Sequence, residues 1–122
     1  MTLMIFQMEI SRDHVELMCA HLRGRLGDSH SLLREYEPAK QEYNQTLAIF
    51  EKILGRDHVG TATVCHKLGY VHFELSEYGM AKQMFGRALR IRENVLGHDN
   101  LDTARSSNGL GMVHIEKGEY EL

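Results

Sequence analysis

The sequence predicts an all-α chain, an antiparallel helix-pair α-solenoid whose repeats are incomplete at both ends. Three observations predict it. The stretch EYEPAKQEY at 35–43 returns as EYGMAKQMF at 77–85, and EYEL begins a further copy at 119–122. Aligned without a gap, 35–76 and 77–118 are identical at 18 of 42 positions, where chance gives roughly two or three. A single proline, Pro38, and the lack of sustained apolar–polar alternation leave strands without a signal.

Within each unit the apolar residues step by three or four, which divides the unit into two helices. Helix B is expected over 36–53 and again over 78–95, its stripe running through Ala39, Tyr43, Leu47 and Phe50. It stops at the dipeptide LG, where Gly55 and Gly97 suit the left-handed backbone that ends a helix. Asp57 and Asp99 follow as N-caps or loop acceptors. Helix A then covers 59–75 and 101–117. Gly69 and Gly111 lie inside it, at a cost of roughly 1 kcal/mol each against alanine. That cost at equivalent places points to close helix approach, with Ala39 and Ala81 as small residues opposite.

The first 34 residues belong to the same scheme, less regularly. TLMIF at 2–6 mirrors TLAIF at 46–50, and RDHV stands at both 12–15 and 56–59, so the chain is expected to start in the second half of a helix B, with RDHV following it as it follows the helix over 36–53. That spacing of 44 inserts two or three residues before Glu35, and either Leu26-Gly27 or Gly24 takes the glycine position. Residues 1–122 therefore read as one repeat domain: 1–34 a partial unit, 35–76 and 77–118 full units, 119–122 the start of another.

Composition narrows the function. A hydrophobic content of 43% and a charged content of 25% are ordinary for a globular chain. A formal charge of -3 gives no basic surplus for nucleic acid, and no apolar run is long enough to span a membrane. The opening MTLMIFQMEI has no basic leader and carries Glu9, unlike a signal peptide. Cys19 and Cys65 are too few for a disulfide framework, so a reducing, cytoplasmic setting is expected.

Chemistry finds little purchase. His66 and His72 are about 240° apart around a helix, and His14 and His21 share a face without an acidic or cysteine partner at ligand spacing. Cys65 and His66 are neighbours that point about 100° apart, so they form no thiol–imidazole pair. Neither a metal, a cofactor nor a catalytic residue is expected. Met1, Met4, Met8, Met80 and Met84 recur at helical spacing, and core filling is the expectation for them.

The residues also carry a family likeness. KLGYVHFELSEYGMAKQMFGRAL resembles a tetratricopeptide repeat, with Leu68, Gly69, Ala81, Phe85 and Ala88 at matching intervals. The 42-residue period, linked by ILGRDHVGTA and VLGHDNLDTA, resembles the kinesin-light-chain type. That unit exceeds the usual ~34 residues by about one helical turn in each helix. The resemblance implies a concave wall lined by helix A, on which extended peptides lie. Carried over, the inward residues are Thr63, His66, Lys67, Tyr70 and Phe73, then Arg105, Asn108, Met112 and Ile115. It implies a non-catalytic scaffold for a peptide or partner subunit; alternatively, a regulatory segment of a larger signalling protein, joined to a nucleotide-binding domain. The two-carboxylate clamp of chaperone-binding members would want asparagine where Tyr70 and Met112 stand, so a chaperone C-terminus is not the expected ligand. Leu3, Ile5 and Phe6 leave an apolar edge from which self-association is expected.

Overall fold

A computed structural model describes residues 2–118 as five helices without a strand: α1 (Thr2–Leu32), α2 (Tyr36–Ile53), α3 (Val59–Glu74), α4 (Tyr78–Leu96) and α5 (Leu101–Lys117). Met1 and the EYEL segment 119–122 lie outside the described residues. Each helix packs on its successor, and α3 also touches α5 across α4. Helices α2 and α4 are the two B helices; α3 and α5 are the A helices.

The repeated residues build two kinds of turn. From B to A the chain passes through Gly55 (φ +102°) and Gly97 (φ +87°), a backbone that glycine adopts without strain. The Thr61 and Thr103 hydroxyls then donate to the carbonyls of those glycines at 2.7 and 2.8 Å. The N-caps fall one residue later than Asp57 and Asp99. His58 Nδ1 accepts from the Gly60 amide at 2.9 Å, and Asn100 Oδ1 from the Asp102 amide at 2.8 Å. A side chain two residues before the free amide reaches it, which Asp57 and Asp99 do not.

From A to B the chain ends each helix with a left-handed residue, Arg34 (φ 62°) or Ser76 (φ 61°). The Glu35 and Glu77 amides donate back to His30 and His72 carbonyls at 2.8 Å, and the Arg34 and Ser76 amides to Ser31 and Phe73 at 3.0 Å, a Schellman pair. The side chains repeat the pairing, His30 Nδ1 to Glu35 Oε1 at 3.2 Å and His72 Nδ1 to Glu77 Oε1 at 2.8 Å. Glu77 also takes Lys40 of α2 at 3.2 Å. Its carboxyl is held below the usual range by His72 first and Lys40 second. This explains why glutamate, lysine and histidine recur with the apolar residues: they pin three helices at one junction.

The core lies between successive helices. Ala39, Ala62, Leu68, Val71, Ala81 and Ala88 are fully buried, with Tyr43, Phe50, Phe85 and Ile91 filling the space around them. Close approach occurs at Gly27, where a Cβ would stand 2.7 Å from the Tyr43 ring, and at Gly69, 2.8 Å from the Phe85 ring. Gly27 therefore takes the glycine position of the first unit. Gly111 departs from the expectation: among the described residues nothing lies within 4 Å of the site of its Cβ, and Gly109 meets Phe85 instead.

Two further expectations are corrected. The RDHV at 12–15 ends no helix, because α1 runs unbroken from Thr2 to Leu32. Aligned on RDHV, Ser11 replaces Gly55 and Leu17 replaces Thr61. Without the glycine and its threonine latch nothing turns the chain, and helical hydrogen bonding continues. The methionines are not core filling as a group: Met4 is 65% and Met8 62% exposed, Met80 is exposed too, and only Met84 packs against the core.

Candidate functional site

Helices α3 and α5 lie side by side with α4 behind them, and the gap between them is a cavity of about 200 Å³. His66 and Tyr70 of α3 line one wall, Arg105, Asn108 and Met112 of α5 the other, and Phe85 with Gly109 forms the floor. Five of the seven residues proposed from sequence for partner binding thus come together. The spacing causes this: 66 and 70, like 105, 108 and 112, lie one turn apart on a helix face.

Lys67 and Phe73 do not join them. Lys67 turns to α1, its Nζ 3.0 Å from Asp28 Oδ2. Phe73 packs against Tyr78 with ring centroids 5.7 Å apart. Thr63 is drawn under the wall, where its Oγ1 lies 3.5 Å from Arg92 Nη2, and Ile115 stands exposed away from the cavity.

The reason the gap is open shows one unit earlier. There Lys67 holds the position of Gly109, Asp28 that of Tyr70, and Tyr43 that of Phe85. Lys67 bridges to Asp28, and Tyr43 donates its hydroxyl to the same carboxylate. The space left beside them is about 100 Å³. Substituting Gly109 for the lysine removes the plug and lets the Phe85 ring become a floor. Gly109, Phe85, Arg92 and Ser106 were the members that sequence reasoning missed. The signal was available in the alignment, as a glycine opposite Lys67 and an arginine opposite Phe50.

Arg92 is 4% exposed and, among the described residues, makes no ion pair with a carboxylate. Its Nη1 donates to Ser106 Oγ at 2.8 Å and to the Asp102 carbonyl at 3.0 Å, while Nε finds no acceptor. Ser106 Oγ in turn lies 3.2 Å from His66 Nδ1. Burial, then the Arg92 charge, lowers the His66 pKa to about 4. Arg105 pairs with Asp102 at 3.1 Å, and the Arg92 charge is buried close by, so the surroundings of His66 carry a positive surplus.

The His66 arrangement makes a pH prediction. A histidine whose folded pKa is depressed contributes stability that is complete above its unfolded value near 6.5 and is lost as pH falls toward 4. His66→Gln should flatten the fall in denaturant midpoint across that window, worth on the order of 2 kcal/mol for the native chain. An equally steep fall in both proteins would contradict the assignment.

Cys65 is fully buried, its thiol pushed up by that burial, while His66 stacks edge-on against Phe85 at 5.2 Å. Among the described residues no group of three histidine, cysteine or acidic side chains is placed to hold a metal, and no helix is long and apolar enough to cross a membrane.

The tetratricopeptide repeat family matches residues 16–94 and again 66–122. The chain is similar to BtubC (BKLC) from P. vanneervenii, whose crystal structure superposes with a TM-score of 0.74 at 27% identity over 82% of this chain. The match spans 40% of that protein's length. No curated protein matches. Matched over most of its length, and built from 42-residue helix pairs of the kinesin-light-chain type, the chain belongs to the tetratricopeptide repeat family.

Proposed function

We propose that the chain is a non-catalytic interaction module that binds an extended, acidic peptide of a partner protein along α3 and α5, one apolar side chain entering the cavity above Phe85. The observation that carries this reading is the convergence of His66, Tyr70, Arg105, Asn108 and Met112 on a cavity of about 200 Å³. That volume accepts one side chain of leucine or phenylalanine size. Asn108 offers a donor and an acceptor to a peptide backbone, and the surplus of Arg92 and Arg105 over Asp102 favours a carboxylate beside the anchor. Two free cysteines, Cys19 exposed and Cys65 buried, support a reducing, cytoplasmic setting.

Peptides selected from a random library on the wild-type chain should carry an apolar residue next to an acidic one. Fluorescence anisotropy should then show Asn108→Ala weakening them about tenfold, one or two hydrogen bonds' worth. Gly109→Lys should abolish binding by restoring the plug, and Ile115→Ala should leave it unchanged. Selected peptides that bind all three variants alike would refute the site.

A further inference from the structure

The unbroken α1 projects residues 2–15 beyond the pairing with α2, and all of them are exposed. Its two faces differ. Ala20, Gly24 and Gly27 pack toward α2. On the opposite face Met4, Met8, Ser11, Val15, Met18 and Leu22 follow steps of four, three, four, three and four, a heptad stripe sustained along one helix. Its large members are 54–65% exposed. Met4, Met8, Ser11 and Val15 line an open trough of about 570 Å³.

We infer that this stripe is the seam of an antiparallel homodimer, occupied by the same stripe of a second copy. The spacing is self-complementary. Turned about an axis near residue 13, Met4 of one copy meets Leu22 of the other, Met8 meets Met18, and Ser11 meets Val15. No other register puts all six residues opposite members of the same stripe. Near the axis the small Ser11 gives room for Val15, and Arg12 of each copy has Glu9 and Glu16 within one turn on its own helix.

The seam runs about 27 Å along the helix. Its ten large side chains, at roughly 60–120 Å² each, reach about 600–1,200 Å², which borders on the range of stable interfaces. The pairing also replaces a lost partner. Cys19, Leu22 and Leu26 of α1 stand where α3 carries Thr61, Val64 and Leu68, all buried, yet in α1 all three are exposed. The segment resembling α2 that would cover them, TLMIF at 2–6, is carried away on the straight helix. A second copy brings Met4 of that segment back onto Leu22.

Light scattering on the 122-residue chain at about 100 μM should give twice its 14.0 kDa mass. Val15→Lys, which introduces two charges at the seam, should raise the dimer dissociation constant at least tenfold with helicity unchanged. Phe6→Ser, on the face away from the seam, should leave the dimer intact. In a Cys19→Ser background, mixing Met4→Cys with Leu22→Cys chains should yield an intersubunit disulfide, whereas Met4→Cys alone should not. A monomer, a Met4→Cys homodisulfide, or dissociation by Phe6→Ser equal to that by Val15→Lys would each overturn the inference. A peptide still bound by a monomeric Val15→Lys chain would separate this seam from the α3–α5 site.

Discussion

Phe85→Ala destabilises the chain by about 3–5 kcal/mol, the largest loss expected from any single truncation here. The ring is 1% exposed, and it reaches from α4 to the backbones of both α3 and α5. Removing it deletes transfer energy and leaves a void that Gly69 and Gly109 cannot fill, because neither carries a side chain to relax into the space. Since repeats hold one another by nearest-neighbour contact, the loss falls on the unit 77–118, and its helicity should melt first in a urea titration. The same change removes the cavity floor, so peptide affinity should fall even at temperatures where the variant is folded. A midpoint shift worth less than about 1 kcal/mol would show that Phe85 is not the shared wedge.

Gly109→Ala and Gly111→Ala, two residues apart on one helix, should move stability in opposite directions. The Cδ1–Cε1 edge of Phe85 enters a notch made by Gly69 and Gly109. A Cβ on Gly109 would stand 2.5 Å from that edge, and one on Gly69 2.8 Å. A buried ring held by two helices cannot swing away, so overpacking of about 1–3 kcal/mol exceeds the ~1 kcal/mol that alanine gains in helix propensity. A Cβ on Gly111 would meet none of the described residues within 4 Å, so there the propensity gain of ~1 kcal/mol stands alone. Phe85→Leu should relieve part of the Gly109→Ala penalty, and a double-mutant cycle reads that coupling directly. Equal effects of the two alanines would mean that the notch is not what selects glycine.

The helix pairs were legible because their punctuation is chemical. Gly55 with Thr61, and Gly97 with Thr103, turn the chain by backbone freedom and one hydroxyl latch, and both members stand in the sequence at fixed spacing. The same logic explains the misreading at RDHV, where four matching residues stood without the glycine or the threonine that perform the turn. The cavity wall came from the family resemblance, which puts helix A on the inner face, and periodicity only groups the residues one turn apart along it. Lys67 was misplaced because periodicity gives a direction and no partner. Asp28, 39 residues away, decides where its ammonium goes. Gly109 escaped notice because it lies two residues before the repeated Gly111 and gains its meaning only from Phe85 on another helix. The Met4–Leu22 stripe was hidden for a related reason, since a heptad over 2–22 has significance only once the chain is known to be straight there.

Amide hydrogen exchange, with and without a library-selected peptide, tests the central reading most directly. Protection gained on α3 around 66–70 and on α5 around 105–112, with α2 and the first turns of α1 unchanged, is the result expected. Protection confined to α1, or to the outer faces of α2 and α4, would contradict a binding wall formed by the A helices.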